Sequence, residues 1–415
     1  GQPGTRGTFN VVASDLPGMI TQHAPNPIWF GFKDGKRALL RSFHVGDRFL
    51  ASNWDDPSNP SDGEKRKQFL DWFQKQGYNT ISIASHYLNR TVEARGKGWN
   101  TPDLWPLNAG EYRKMEMVLD DLQRRRIVVF PFAGFFGKEA DYPRDPAEQE
   151  IYIKYTLARL GAYWNLMFLV GGPEPLFKKN PHMSFEEVNR IGTLIAQHDV
   201  FGHLLSVHNA TGEDPFKDQT WLSYGVLQGP KTLDPAVLSK GLLQIRHPAK
   251  PVYAQETLWP GNTYGHPKYT ATNARKNTIV AQMSAAAINY ADMKGSSSTG
   301  FSGSMDPADK VQEWHDIIYG IWNYFETIPF ERMKPRQDLV DNGYCLAEEG
   351  REYLIYLDRP GSVTPKLSSG SWKAEWINAQ NLKQVKDGGT VLSGKPMQTP
   401  EGGDDWLLRV RKAGR

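Results

Sequence analysis

The chain has 415 residues, of which 39% are hydrophobic and 12% aromatic, and it contains 39 glycines and 28 prolines. This composition excludes a disordered or fibrous protein, and the length allows one large domain followed by a small one. With 49 lysines and arginines against 46 acidic residues the net charge is +3, a small excess that argues against a nucleic-acid-binding protein.

Cys345 is the single cysteine, so neither an intrachain disulfide nor a multi-cysteine metal site can form. No apolar run approaches the roughly 20 residues of a membrane-spanning helix. We expect a secreted or periplasmic protein that starts here at a mature or trimmed end, Gly1, without a signal peptide.

Short apolar runs predict eight buried strands. A hairpin that turns at residues 33–36 leads into the first of them. In chain order the runs lie at residues 39–45, 79–86, 126–136, 164–172, 204–210, 221–229, 251–257 and 295–303.

Stretches with helical periodicity separate most of these runs. They lie at residues 63–77, 110–125, 184–198, 270–293 and 306–325. Ser184 and Glu187 have the spacing of a capping box, whereas residues 211–220 show only a weak helical pattern. Apolar strands that alternate with amphipathic helices indicate a covered parallel sheet, and eight such units favour a closed (β/α)8 TIM barrel over an open sheet.

The pattern changes near residue 335 to short alternating segments with turn residues between them, which predicts a small antiparallel β-sandwich. We therefore assign residues 1–335 to the barrel with its N-terminal hairpin and residues 336–415 to the sandwich. Its tryptophans could bind polysaccharide or only support the barrel. The alternation in "KAEWI" and "DWLLRV" turns such rings inward and favours support; the tryptophans are Trp372, Trp376 and Trp406.

Two glutamates stand at the ends of predicted strands. Glu174, in "LVGGPEPLF", follows the fourth strand, and Glu256 ends the seventh. In a barrel both would project at the C-terminal mouth, where active sites lie. Glycoside cleavage needs two carboxyl groups, one to protonate the leaving oxygen and one to attack the anomeric carbon or activate water. The flanking glycines and prolines fix the backbone of Glu174, although a tight turn with a solvated side chain is the competing interpretation.

The stretches "LVGGPEP", "SVHNAT", "YAQETLW" and "TGFSG", taken in this order with the β-rich tail, resemble the apiosidase-like glycoside hydrolases. The resemblance covers nearly the whole chain from about residue 28 and implies a barrel followed by a collagen-binding-like sandwich. In the wider retaining clan the acid/base follows the fourth strand and the nucleophile ends the seventh, which implies these roles for Glu174 and Glu256. Many clan members have asparagine before the acid/base, to bind a sugar hydroxyl, whereas this chain has Pro173.

Polar residues at other predicted strand ends are candidates for substrate contacts. His208 follows the fifth strand, and its imidazole can bind a sugar hydroxyl or orient a carboxylate. His44, Asp47 and His86 follow the first two strands and would line a sugar subsite, with a divalent-metal site as the less favoured alternative. Gln228, at the end of the sixth strand, is a further hydroxyl ligand. For each residue an ordinary structural hydrogen bond is the competing interpretation.

Aromatic side chains crowd the predicted loops after strands two, three and seven and suit the apolar faces of sugars, although each one taken singly more often packs in the core or within a loop. Among them, Trp259 and Tyr264 are candidates for substrate binding, and the others are Tyr87, Trp99, Trp105, Phe135, Phe136 and Tyr269. Cations on the same face leave an anionic substrate open, against an ordinary solvated surface: Lys138, Arg144, Lys178 and Lys179.

The sequence therefore predicts a retaining glycoside hydrolase that needs no cofactor or metal and acts on an oligo- or polysaccharide of plant, algal or bacterial origin. No phosphate-binding glycine loop, GxSxG elbow or HExxH motif is present. Two alternatives stay open: a catalytically silent carbohydrate-binding barrel, favoured by Pro173, and a polysaccharide lyase with His208 or a tyrosine as base.

Overall fold

A computed structural model describes residues 8, 10, 12–45, 60–83, 107, 109–132, 134–137, 142–177, 181–210, 212, 214–260, 266–292, 307 and 310–413. Within these ranges no helix is both long and apolar enough to cross a membrane.

A three-stranded antiparallel sheet closes the N-terminal end of the barrel. It consists of β1 (Ile20–Gln22), β2 (Phe30–Phe32) and β3 (Arg37–Ala38), and it confirms the predicted hairpin. Ile20 and Phe30 pack in one buried cluster with barrel residues such as Val128 and Tyr224. Among the described residues, apolar side chains therefore fill this end of the barrel.

Eight parallel strands form the barrel wall. They are β4 (Arg41–Val45), β5 (Thr80–Ile83), β6 (Val128–Pro131), β7 (Phe168–Leu169), β8 (Leu205–Ser206), β9 (Gly225–Leu227), β10 (Val252–Leu258) and β11 (Ala286–Tyr290). Six of them pair in the order β6-β5-β4-β11-β10-β9, and β7 pairs with β8. A bridge between Val129 and Leu166 joins these two sheets on one side, and the Ser223 N–H donates to the Leu205 carbonyl on the other. The predicted (β/α)8 barrel is thus confirmed.

Seven helices are described around the wall. They are α1 (Pro60–Lys75), α2 (Ala109–Arg124), α3 (Pro146–Leu160), α4 (Phe185–His198), α5 (Pro235–Gln244), α6 (Ala271–Met283) and α7 (Gln312–Glu326). Ser184 caps α4 as expected, since its side chain accepts from the Glu187 N–H. Between β8 and β9 the described residues form turns and bends without a helix, which matches the weak pattern there.

The eighth strand was predicted in the wrong place. The helix expected over residues 270–293 ends at Met283, and β11 follows at once, whereas the run at 295–303 lies outside the described residues. Ala285 makes the turn with a φ of +52°, in the left-handed region. The alanines of β11 favour a helix locally, but pairing with β4 and β10 on either side overrides that preference.

The C-terminal region is a six-stranded antiparallel sheet with a two-stranded ribbon. The sheet order is β12-β13-β14-β19-β16-β17, with β12 (Lys334–Pro335), β13 (Tyr344–Glu348), β14 (Glu352–Leu357), β16 (Trp372–Asn378), β17 (Asn381–Val391) and β19 (Trp406–Lys412). The ribbon pairs β15 (Ser362–Val363) with β18 (Met397–Gln398). The division into two domains near residue 335 stays a prediction.

The two faces of this sheet bury different residues. One face carries Leu346, Leu354 and Leu407, which pack in the same cluster as the barrel. The other face holds the three tryptophans, Trp372, Trp376 and Trp406, which are 1%, 3% and 0% exposed. Their rings turn inward as the alternation predicted, so they offer no open surface to a polysaccharide.

A buried ion pair fastens the C-terminal sheet to α6. The Arg275 guanidinium donates to both oxygens of Asp405, at 3.1 and 2.9 Å, and the Tyr356 hydroxyl donates to the same carboxylate at 2.6 Å. Asp405 is fully buried. Because the carboxylate is shielded from solvent, its charge is stabilised by these donors. The ion pair therefore fixes the position of α6 against the sheet.

Replacing Arg275 by methionine should lower the free energy of unfolding by about 3 kcal/mol or more, because the Asp405 carboxylate would stay buried without its cation. Urea denaturation of wild type and variant measures the difference. Lys67→Met is the matched control, since Lys67 lies 2.8 Å from Asp71 on the exposed surface of α1, and it should change stability by less than about 1 kcal/mol. Equal losses in the two variants would contradict this account.

Candidate active site

Glu174 lies in an ordered turn after β7. Its N–H donates to the His208 carbonyl at 2.7 Å, and the Gly171 N–H donates to the Phe136 carbonyl at 2.7 Å. The φ of Glu174 is +52°, a conformation that non-glycine residues seldom adopt and that is concentrated at functional sites. The side chain is half-buried at the barrel mouth, so this turn differs from a loop with a solvated carboxylate.

Glu256 is in β10 and is only 2% exposed. The Lys231 ammonium lies 3.2 Å from its Oε2. Burial raises the pKa of Glu256 to about 7, against the opposing effects of Lys231 and Gln228, and the nearby charge of Glu174 adds to the rise. Near neutral pH this carboxyl group therefore exists in both protonation states.

Gln228 joins the two glutamates. Its Nε2 donates to Oε1 of Glu174, and its side chain also hydrogen-bonds the carboxyl group of Glu256. Gln228 directly follows β9, so three strand ends, those of β7, β9 and β10, bring the glutamates and the amide together. The candidate pair and Gln228 thus share one cleft.

His208 and His44 are buried and neutral. His208 Nε2 lies 3.2 Å from Gln255 Oε1, and burial is the main reason why its pKa falls to about 4. His44 Nδ1 lies 3.0 Å from Ser82 Oγ, and burial lowers its pKa to about 3. Gln255 Oε1 can only accept, so His208 carries its proton on Nε2 and its Nδ1 is an acceptor. Nδ1 of His208 and Nε2 of His44 are buried without a hydrogen-bond partner among the described residues.

Trp259 packs between imidazoles and not on an open surface. It is 1% exposed, its ring stacks on His44 at 4.3 Å and runs parallel to His266 at 5.7 Å, and its Nε1 donates to the Gln255 carbonyl at 3.0 Å. Both ring nitrogens of His266 are buried without a partner in the described part of the chain, and burial lowers its pKa to about 3. Trp259 therefore orders the histidines, and its predicted contact with a sugar ring stays a prediction.

Several predicted site residues lie outside the described residues: Asp47, His86, Tyr264, Tyr87, Trp99, Trp105, Lys138, Lys178 and Lys179. Of the remaining aromatics, Phe135, Phe136 and Tyr269 are buried in the main hydrophobic cluster, which agrees with the packing role expected for each of them singly. Arg144 is exposed. Among the described residues no group of three or more His, Cys, Asp or Glu side chains could hold a metal ion.

Sequence reasoning missed Lys231, Gln255 and His266. Gln255 precedes Glu256 and Lys231 stands three residues after Gln228, so both were next to candidates that the strand ends had already marked. A rule that every polar residue within three positions of a predicted strand end is a candidate would have found these two. His266 lies in the long segment after β10, where no such rule applies.

Comparison with known proteins identifies the family and the fold of this chain. Residues 43–292 match the family model described as Apiosidase-like, catalytic domain. No curated protein matches the chain.

Solved structures are similar over most of the chain. A glycoside hydrolase has a TM-score of 0.72 at 15% identity, over 97% of this chain and 99% of its own. A glycoside hydrolase family 5 from Bacteroides vulgatus ATCC 8482 has a TM-score of 0.70 at 15% sequence identity, and the alignment covers 97% of this chain and 96% of that one. A mutant glycoside hydrolase family 5 mannosidase from Rhizomucor miehei, in complex with mannosyl-fructose, has a TM-score of 0.50 at 12% sequence identity. The alignment covers 74% of this chain and 97% of that one. At these identities the likeness shows the fold alone.

Replacing Glu256 by glutamine should make the protein less sensitive to alkaline pH. Because its pKa rises from 4.5 to about 7 on folding, the wild type has its full stability from this group below pH 4.5 and loses it as pH rises through 7. The free energy of unfolding of the wild type falls by about 3 kcal/mol over this pH range, whereas the glutamine variant has no ionisable group here and keeps its stability. The two proteins should therefore unfold alike in urea at pH 4, and the variant should be more stable at pH 8.

Glu313→Gln, on the exposed surface of α7, is the control for this comparison and should track the wild type at both pH values. A stability difference between Glu256→Gln and wild type that is the same at pH 4 and pH 8 would contradict the raised pKa.

Proposed function

Because the chain belongs to the apiosidase-like family and is a glycosidase, we propose that it cleaves a complex polysaccharide, or an oligosaccharide derived from one, with retention of anomeric configuration. Glu174 is the acid/base and Glu256 the nucleophile in this proposal. It needs no cofactor.

The bridge formed by Gln228 carries the proposal. One amide side chain bonds both carboxyl groups, so the two lie close together in the cleft. Retaining glycosidases hold their carboxyl groups about 5 to 5.5 Å apart, so that one can attack the sugar directly, whereas inverting enzymes leave room for a water at about 6.5 to 9.5 Å. The bridge therefore supports double displacement.

In the first step Glu174 donates its proton to the departing glycosidic oxygen while a carboxylate oxygen of Glu256 bonds to the anomeric carbon. In the second step Glu174, now ionised, removes a proton from water. The water oxygen bonds to the anomeric carbon, and Glu256 leaves as a carboxylate. The negative charge thus moves from Glu256 to Glu174 in the first step and back in the second, and Glu174 regains from water the proton that it gave to the leaving oxygen.

Burial and ion pairing argue for different assignments of the roles. Burial alone would keep Glu256 protonated and make it the acid, as its raised pKa indicates. Its ion pair with Lys231 favours the ionised form that a nucleophile needs. Glu174 is the more exposed of the two, at the mouth where a leaving group and water would arrive. The ion pair and the exposure together favour Glu256 as nucleophile.

The neutral histidines support a sugar as the ligand of this cleft. Nδ1 of His208 is an acceptor, and it and Nε2 of His44 are buried nitrogens without a partner among the described residues. A sugar hydroxyl both donates and accepts, so it can pair with either type of group. With pKa values of about 4 and 3, both imidazoles keep this form above pH 5. Such a low pKa makes His208 a weak base, which disfavours the lyase alternative.

The finer details of substrate and location rest on the sequence. An anionic substrate and a secreted or periplasmic location stay predictions, and of the cations that suggested the former only Arg144 is described, on the surface.

The test compares the purified wild type with Glu174→Ala and Glu256→Ala on a panel of plant, algal and bacterial polysaccharides, followed by dinitrophenyl glycosides of the sugar released. Both variants should lose about 10²-fold or more of their activity on the natural glycan. Glu174→Ala should keep most of its kcat/KM on the dinitrophenyl glycoside, because this leaving group needs no proton, whereas its kcat should fall because no base activates water in the second step. Added azide should then accelerate it. Glu256→Ala should cleave neither substrate.

The control is Glu313→Ala on the outer face of α7, which should match the wild type. The opposite pattern between the two alanine variants would exchange their roles. Undiminished release by Glu256→Ala would remove Glu256 from the chemistry, and unsaturated products that absorb in the ultraviolet would identify a lyase. Glycan binding without release by the wild type would favour a silent barrel.

A further inference from the structure

Lys231 occupies a loop that is anchored on both sides. The residues before it directly follow β9, and Asp234 after it caps α5 by accepting from the Ala236 N–H at 2.9 Å. Asn277 of α6 donates to the Thr232 carbonyl at 3.0 Å. The backbone beside Lys231 therefore has a fixed position relative to three elements of the barrel, and the ammonium is delivered to the cleft by the scaffold.

The ammonium of Lys231 is in direct contact with a carboxyl group that water hardly reaches. Nζ lies 3.2 Å from Glu256 Oε2, and the exposed fractions of the two side chains are 22% and 2%. An ion pair in such an environment is screened far less than one on the surface. Loss of the cation would leave Glu256 as an unpaired buried anion, which takes up a proton instead.

We propose that Lys231 is a positioning residue whose ammonium holds the buried carboxyl group of Glu256 in its ionised form and balances the charge of the two glutamates in both halves of the reaction. This inference rests on the proposed function. Before attack the cluster holds ionised Glu256, protonated Glu174 and Lys231, with a total charge of zero. In the glycosyl intermediate Glu256 is a neutral ester and Glu174 is ionised, so the total is zero again.

Among the described residues, the other titratable groups around the two glutamates are acidic or neutral. Glu174, from the turn after β7, adds negative charge beside Glu256 when it is ionised. His208 and His266 feel the charge of Lys231, which helps to keep both imidazoles neutral. Beyond β11, Asp292 accepts from the Val311 N–H at 2.6 Å and lies 3.4 Å from His315. Within the described residues, Lys231 is thus the cation paired with Glu256.

The direct test is a titration that needs no substrate. Wild type and variants are labelled with glutamate carrying ¹³C in the carboxyl group, and the Glu256 resonance is assigned by its absence in Glu256→Gln. Its midpoint should lie near pH 7 in the wild type. It should rise by at least about one pH unit in Lys231→Met and in Lys231→Gln, and stay near the wild-type value in Lys231→Arg, which keeps the charge.

Lys240→Met is the matched control, because Lys240 is exposed on α5, close to the same loop in the chain. Its Glu256 midpoint should equal that of the wild type. An unchanged midpoint in both neutral variants of Lys231 would overturn the proposal, and the second neutral variant gives this answer even if one of them fails to fold. A merely structural role for Lys231 would not raise the midpoint selectively in the uncharged variants.

The glycan panel separates this inference from the proposed function. If the midpoint rises and the wild type releases sugar, the acid limb of kcat/KM in Lys231→Met should move upward with the midpoint, with a loss of about fivefold or more at pH 7 that shrinks at higher pH. A raised midpoint with an unshifted acid limb would overturn the catalytic part of the proposal. A raised midpoint without any sugar release would contradict the proposed function and leave the electrostatic role of Lys231 standing.

Discussion

Burial of Glu256 at the end of β10 is the constraint around which the site is built. A carboxyl group that is 2% exposed resists ionisation, yet the nucleophile role proposed for Glu256 requires an anion. Two groups that follow β9 favour the ionised form of Glu256, and they are the amide of Gln228 and the ammonium of Lys231. The same amide also bonds Glu174, so the distance between the two carboxyl groups and the charge of Glu256 depend on one short segment.

The scaffold holds that segment through α6. Asn277 bonds the loop of Lys231, and Arg275, two residues earlier on the same helix, pairs with the buried Asp405 of the C-terminal sheet. The sheet therefore braces the helix that anchors the active-site loop, which gives this region a structural part in the chemistry. Its inward-facing tryptophans fit such a role. At the opposite end, the N-terminal hairpin packs apolar side chains against the barrel interior.

Much of this arrangement could be predicted from strand ends. Glu174, Gln228 and Glu256 each mark the end of an apolar run, and the closed barrel then brings them together. The eighth strand could not be placed, because its alanines favour a helix and only pairing with β4 and β10 makes it a strand. The helices α3 and α5 were missed although each begins with Asp-Pro, a readable start signal. His266 depends on a loop path that no local pattern encodes, and only the structure reveals its contact with Trp259.

The stereochemistry of the first product distinguishes a glycosyl intermediate on Glu256 from direct attack by water. Once the glycan panel has identified a substrate, ¹H NMR during early hydrolysis shows which anomer forms before mutarotation. Two carboxyl groups bridged by one amide predict that the first sugar released has the same anomeric configuration as the substrate. Release of the opposite anomer would mean that water attacks directly, and it would contradict a glycosyl intermediate on Glu256.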